Sequence, residues 1–412
     1  MRTLLKSVLE IAPAGQKRYL AMEGLRGVAI LMVFLCHYDV LVRENLNLPL
    51  SVVSFGSIVG RMGTAGVDLF FLLSGLLIYR SALRPDLNYM QFIKRRAIRI
   101  YPTFLTVFAI YLILSATLPT LTKFSAQGWQ LIRAVLVNLA FLPGFLDVKP
   151  IVTVAWSLSY EWYFYITAPI VVRCLRLRDW KRSNRVVLLV ALAAFYITAS
   201  ALGPQISEIV GVPIYRFHVR LVMFLAGMLV FEILESGWLS AVAHFRDWGA
   251  VALAAAGLVV LCMIEVAHGP GKLASIYTPR FEAMRCVVLI AIFMPVTLVA
   301  LGQNHIVNAL LVKPGLRWLG NISYSYYLVH TLGIDAVKVL VVRSSFLQKT
   351  PLFSWVFLFP LSLALSVALG LMLFLLIERP FSLRPKGEAS RSRSEEADAI
   401  GRGEGKPSLR PA

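Results

Sequence analysis

Two ionisable residues fall inside the first long apolar run of the chain, Arg26 near its start and His37 toward its far end. On a helix, eleven positions span about 16 Å and about three turns, so both side chains share nearly the same face. An imidazole is the side chain best suited to deprotonate a hydroxyl near neutral pH. A guanidinium suits a phosphate-bearing ligand. The plainer reading of the same pair is an interfacial arginine that snorkels and a histidine at the opposite interface.

Further along, similar choices recur. The block Gly66-Val67-Asp68-Leu69-Phe70-Phe71 runs on through Ser74-Gly75. There Asp68 is either a site carboxylate or a charge that meets the helix dipole, and Ser74-Gly75 allows close helix contact. Arg96 and Arg99, in Lys94-Arg95-Arg96-Ala97-Ile98-Arg99, share a face at i, i+3. They serve as membrane anchors or as an anion site. The run Trp156-Ser157-Leu158-Ser159-Tyr160-Glu161 sets a carboxylate among aromatics in an apolar segment. Glu161 there needs a cation, a hydroxyl or a proton, while Trp156 and its neighbours form an interfacial belt or stack on sugar rings. Ser323, Tyr327 and His330 fall within two turns on a common side, as a site or as polar glue between helices. Glu378-Arg379-Pro380 reads as a local ion pair and a helix stop.

The elements that must position these residues are membrane helices. Of 412 residues, 58% are hydrophobic and 15% charged, against about a quarter charged in a soluble domain. Apolar blocks near the roughly 17–25 residues of a helical span recur along the chain. They predict about ten transmembrane helices, near 25–42, 64–79, 100–118, 152–172, 186–203, 218–234, 248–267, 284–301, 322–342 and 353–377. The stretch 131–146 is short and holds Leu142-Pro143-Gly144, which suits an interfacial or re-entrant helix. With ten spans, the connections on the side of the N-terminus hold 19 Lys plus Arg against 10 on the other side, the C-terminal tail left out. That bias predicts both termini in the cytoplasm.

The fold class expected is therefore all-α, a polytopic membrane bundle. Residues 1–23 would form a cytoplasmic N-terminal segment, 24–381 the membrane domain, and 382–412 a disordered cytoplasmic tail. The net charge of +19 lies mostly in short connections, where it orients helices and meets lipid headgroups; no nucleic-acid motif accompanies it. Cys36, Cys174, Cys262 and Cys286 lie far apart, without metal-binding spacing, and read as buried free thiols. No metal site is expected. Residues 1–23 show no secretory cleavage pattern, so the first span is expected to target the chain.

In this order the segments resemble acyltransferase family 3, the membrane O-acyltransferases. The likeness rests on Arg26 with His37, the block from Gly66 to Gly75, Arg96 and Arg99 before Pro102, and Trp156-Ser157-Leu158 with Glu161 and Tyr165. Ser323-Tyr324 with Tyr327-Leu328 and His330, then Glu378-Arg379-Pro380, complete it. Tyr160 departs from the aliphatic residue more common in the family.

The resemblance implies a ten-span bundle in the bacterial inner membrane. It would move an acyl group, usually acetyl, from cytoplasmic acyl-CoA to a hydroxyl, commonly of a carbohydrate. Acyl-CoA would be a co-substrate, and no permanently bound cofactor is implied. His37 would be the catalytic base, with Glu161 orienting it or the acceptor, and Arg26, Arg96 and Arg99 would bind the donor. The pantetheine arm would rise beside the first span and present its thioester near His37. A transporter or flippase for a glycan or lipid-linked substrate is the rival class, but the paired broken helices and internal repeat common there are not visible.

Overall fold

The computed structural model describes residues 9–10, 17–117, 128–146, 148–210, 219–237, 243–267, 278–302 and 305–382. The expected tail from residue 383 onward, and most of the expected N-terminal segment, lie outside the described residues. Every α-helical or 3₁₀ element among those described runs without an intervening strand.

In chain order the α-helices are α1 (Lys17–Asn45), α2 (Leu50–Gly63), α3 (Ala65–Ala82), α4 (Tyr89–Thr117), α5 (Gly128–Leu139), α6 (Trp156–Cys174), α7 (Arg182–Val210) and α8 (Val222–Glu235). They continue as α9 (Ala243–Ala267), α10 (Pro279–Leu301), α11 (His305–Leu311), α12 (Pro314–Asn321), α13 (Ser323–Arg343), α14 (Ser345–Lys349) and α15 (Pro351–Leu373). A π-turn at Phe374–Glu378 and a last turn at Arg379–Ser382 follow. In a bilayer, backbone N–H and C=O groups must be satisfied within the segment, so long apolar runs fold as helices. Pro279, Pro314 and Pro351 open their helices, where the missing N–H would have no partner anyway. Pro380 follows the π-turn; its ring would clash with the carbonyl four residues back in a regular helix, and the wider turn relieves this.

Helices occupy all ten predicted spans. Seven stretches are long and apolar enough to cross a membrane: Leu20–Leu41, Leu50–Ala82, Tyr89–Thr117, Arg182–Gly203, Pro279–Leu301, Ser323–Arg343 and Pro351–Ser382. The other three predicted spans fall short. Trp156–Cys174 carries Ser157, Ser159, Glu161 and Arg173, Val222–Glu235 has 14 residues, and the apolar part of α9 is Val251–Ala267. The connection expected at 43–63 is largely helix, because α2 runs almost without a break into α3 through Thr64, which keeps helical dihedrals. The stretch 131–146 does not continue as one helix. Its helix, α5, ends at Leu139, and Phe141 turns the chain at φ 53°, a strained value for a bulky residue. Its ring is held by Tyr101, Phe104 and Trp162.

The bundle has an apolar core but also turns large apolar side chains outward, among them Trp129, Val187, Phe195, Val356 and Leu376, while it buries Arg61, Asp68, Glu232, Glu265 and Arg285. An apolar outer surface with charges kept inside is what lipid as solvent demands. α1 is central, touching α2, α3, α10, α12, α13 and α15. A very close crossing joins α3 to α8. A Cβ on Gly75 would lie 2.2 Å from the Phe224 carbonyl oxygen, and one on Gly227 would lie 2.0 Å from that of Leu72. Small residues are what permit backbones to approach this closely. All four cysteines are free, but only Cys36 and Cys286 are buried; Cys174 is exposed on the bundle surface, which corrects the expectation that all are buried.

Candidate active site

Three arginines from two helices line one cavity of about 110 Å³. Arg26 comes from α1, and Arg96 and Arg99 come from one face of α4. Ser74 of α3, Ser157, Glu161 and Tyr165 of α6, and Ser323, Tyr324 and Tyr327 of α13 complete its polar lining. Eight residues predicted as site candidates therefore converge, although up to three hundred positions separate them in sequence.

The polar groups are held in place. Glu161 Oε1 accepts from the Ser74 hydroxyl at 2.7 Å and from the Tyr165 hydroxyl one turn along α6. The Arg96 guanidinium lies over the Tyr165 ring at 5.1 Å and over Phe92 at 5.2 Å, a favourable cation–π geometry. Tyr324 donates to the Ile100 carbonyl at 2.7 Å, tying α13 to α4. Ser157 and Tyr327 exchange a hydrogen bond at 2.7 Å, and the Tyr327 hydroxyl also donates to the Val154 carbonyl at 3.0 Å. The buried Ser323 hydroxyl has no hydrogen-bond partner among the described residues. Among those residues, no carboxylate forms an ion pair with Arg26, Arg96 or Arg99. Glu161 and Glu378 act on them only from beyond ion-pair distance, and three recessed guanidiniums against two carboxylates favour an anionic ligand.

His37 is not in the cavity lining. It meets His330 of α13 instead, with ring centroids 4.7 Å apart, and His330 in turn lies against Tyr327, at the cavity wall. The lining of this cavity reaches Ser157 and Tyr327 and stops short of His37. Bulky Phe70 and Tyr327 pack together there, at 6.3 Å.

Two other candidates lie elsewhere. Asp68, fully buried in the first turn of α3, stands 3.8 Å from Arg285 and 3.9 Å from Arg220. It belongs to an ionic network. Arg61 donates to the Glu265 carboxylate at 2.7 Å and to its carbonyl at 2.8 Å, and Arg285 lies 3.3 Å from the same carboxylate and 2.5 Å from the Thr64 hydroxyl. Glu282 sits 3.7 Å from Arg220. Trp156 is outside the cavity as well, with the Arg220 guanidinium 5.9 Å over its ring. Glu378 does not pair with Arg379. It accepts from the Ser325 hydroxyl at 2.5 Å and the Ser325 N–H at 3.2 Å, because the π-turn rotates it inward. The sequence reading passed over Arg220, Glu265 and Arg285, although each lies in a predicted span. The rule that singled out Glu161, an ionisable group within an apolar run, applies equally to them. Among the described residues no three His, Cys, Asp or Glu side chains converge on a point that could hold a metal.

A multi-span helical bundle with a histidine pair and an arginine-lined cavity has the character of a membrane enzyme. The family model described as "Acyltransferase domain" matches residues 19–371; the chain belongs to this acyltransferase family. It is similar to "Acyltransferase MdmB" of Streptomyces mycarofaciens, 27% identical over 76% of this chain and 78% of that protein. It is also similar to "Exopolysaccharide production protein ExoZ" of Rhizobium meliloti, 24% identical over 80% of this chain and 92% of that protein. A shorter match, 29% identical over 32% of this chain and 39% of the relative, is to "Nodulation protein 10" of Rhizobium leguminosarum bv. viciae. No solved structure matches the chain.

Proposed function

We propose that this membrane acyltransferase moves an acyl group, acetyl first among them, from cytoplasmic acyl-CoA to a hydroxyl of a carbohydrate or glycoconjugate. The observation that carries the reading is the convergence of Arg26, Arg96 and Arg99, none of them paired with a carboxylate, on one cavity with Glu161. Phosphate oxygens of a nucleotide donor match three guanidiniums in charge and in hydrogen-bonding geometry. The arginine mouth would face the cytoplasm, with both chain termini on that side and the protein in a bacterial inner membrane. The printed name of the relative ExoZ, which concerns exopolysaccharide production, favours a carbohydrate acceptor.

In this reading His37 takes the proton of the acceptor hydroxyl as the oxygen attacks the thioester carbonyl. The C–O bond forms and the C–S bond breaks. CoA leaves as a thiolate and recovers the proton from the imidazolium. Glu161, already held by Ser74 and Tyr165, orients the donor or acceptor beside the arginines.

The test is acyl-CoA consumption by the purified protein in detergent, supplied with glycan extract whose products are weighed by mass spectrometry. The wild type should add one acetyl mass to the glycan, and His37→Ala, still folded, should lose at least about 10²-fold in turnover. Full turnover by His37→Ala would remove His37 from the chemistry. Passage of a glycan across vesicles without donor consumption would make the protein a flippase instead.

A further inference from the structure

The two histidines touch through specific nitrogens, and their neighbours decide which nitrogen carries each proton. His330 is fully buried. Its Nδ1 lies 2.8 Å from the Tyr327 carbonyl oxygen and 3.3 Å from that of Tyr326. A carbonyl oxygen only accepts, so Nδ1 of His330 carries the proton and its Nε2 presents a lone pair. That Nε2 sits 3.2 Å from Nδ1 of His37, which also lies 2.9 Å from the Val33 carbonyl oxygen. Nδ1 of His37 is thus set between two acceptors and must carry a proton. In the neutral ring, Nε2 of His37 is then the basic nitrogen.

We infer that His330 is a positioning residue, whose Nε2 accepts from Nδ1 of His37 and, with the Val33 carbonyl, holds His37 in the tautomer with a basic Nε2. The inference rests on the reading of His37 as the base and gives His330 a role in that reaction. When His37 gains a proton in the transfer, the lone pair of His330 still faces the Nδ1–H of the imidazolium, which it stabilises. No atom need move for this, and the arrangement is the base–orienter relation of a catalytic triad with a neutral imidazole in the orienting place.

Three further contacts hold His330 itself. The Tyr326 ring stacks on it at 5.5 Å and 4°. Ser366 of α15 donates to its carbonyl at 3.1 Å. Gly333, one turn on, lets α15 approach so closely that a Cβ there would meet the Ser366 hydroxyl at 2.7 Å. Mere helix glue would not require a ring fixed in plane, in tautomer and edge-on to a second imidazole.

The test uses the full-length protein in detergent, with its six histidines labelled with ¹⁵N. Spectra are taken at alkaline pH, where imidazoles are neutral. The resonances of His37 are assigned from those lost in His37→Ala. The wild type should show His37 protonated at Nδ1, and His330→Leu, which leaves Nδ1 only the Val33 carbonyl, should raise the fraction of the Nε2–H tautomer measurably. In turnover, His330→Leu should lose on the order of 10²-fold in kcat with an unchanged donor KM. His330→Gln places an amide oxygen near the lost Nε2 and an N–H₂ near the carbonyls, so it should recover most of that loss. An Nε2–H tautomer for His37 in the wild type would overturn the inference. So would equal activities for the Leu and Gln variants. The spectra need no substrate, so they decide on His330 even if acyl transfer fails; inactivity of the wild type toward every acyl-CoA, with the Nδ1–H tautomer present, would sink the proposed reaction alone.

Discussion

Each of two regions of the bundle gathers three arginines, and the two use them in opposite ways. Arg26, Arg96 and Arg99 line a cavity, half-buried, without a carboxylate partner among the described residues. Arg61, Arg220 and Arg285 are met by Asp68, Glu265 and Glu282, equal in number, at distances from 2.7 to 3.9 Å. α3 serves both regions, with Asp68 in the network and Ser74 at the cavity, six steps or about 9 Å of helix rise apart. A matched guanidinium fastens helices to one another. An unmatched one facing a cavity keeps its electrostatic demand for a ligand. Residue type alone does not separate a bolt from a binding group; the balance of charge around it does.

The comparison can be broken by removing charges on each side. The largest effect should come from Glu265→Ala, which leaves Arg61 and Arg285 buried without their carboxylate. Loss of one partner of a buried pair costs about 3–5 kcal/mol, so the variant should unfold at a much lower temperature in detergent; an unchanged midpoint would remove the network from the fold. Arg99→Ala should do the reverse. Its unfolding midpoint should stay near that of the wild type, while donor KM rises by about tenfold to a hundredfold, the equivalent of one charged hydrogen-bonding group of about 1.5–3 kcal/mol. A stability loss without a KM change would make Arg99 a bolt too. Gly227→Leu tests the crossing that holds α3, which carries both Asp68 and Ser74. Overpacking there should cost about 1–3 kcal/mol, and thermal unfolding together with acyl-CoA turnover should both report it. The smallest effect is expected from Ser325→Ala, which takes the hydroxyl donor but leaves the backbone N–H donor to Glu378. A loss near 1 kcal/mol, read as a shift in midpoint with turnover largely kept, would sharpen the boundary between site and scaffold.

Much of the helical framework was legible along the chain. Apolar blocks of span length leave helix as the outcome because lipid offers the backbone no partners, and helices stand at every predicted span. α2 was missed since its glycines and serines look like a connection; contact with α1 and the Arg61–Glu265 bond hold it as helix. Within the site, neighbours on one helix were readable: Arg96 with Arg99 at one-turn spacing, and Ser323, Tyr327 and His330 on a common side. The Glu161–Tyr165 bond is also one turn long. Contacts between helices were not. Ser74 with Glu161 and His37 with His330 are 87 and 293 positions apart, and Asp68, adjacent in sequence to the cavity-lining Val67, faces a different set of charges.

The sequence by itself determined which segments fold as membrane helices and which ionisable residues each one carries, because hydrophobic length and helical period are local properties of the chain. Only the tertiary structure decided which of those residues meet. It placed one arginine trio around a cavity and the other inside an ionic network, set His37 against His330 behind Tyr327, and turned Glu378 from Arg379 to Ser325. Those outcomes depend on how helices rotate and cross, and close packing at positions such as Gly75 and Gly227 fixes both.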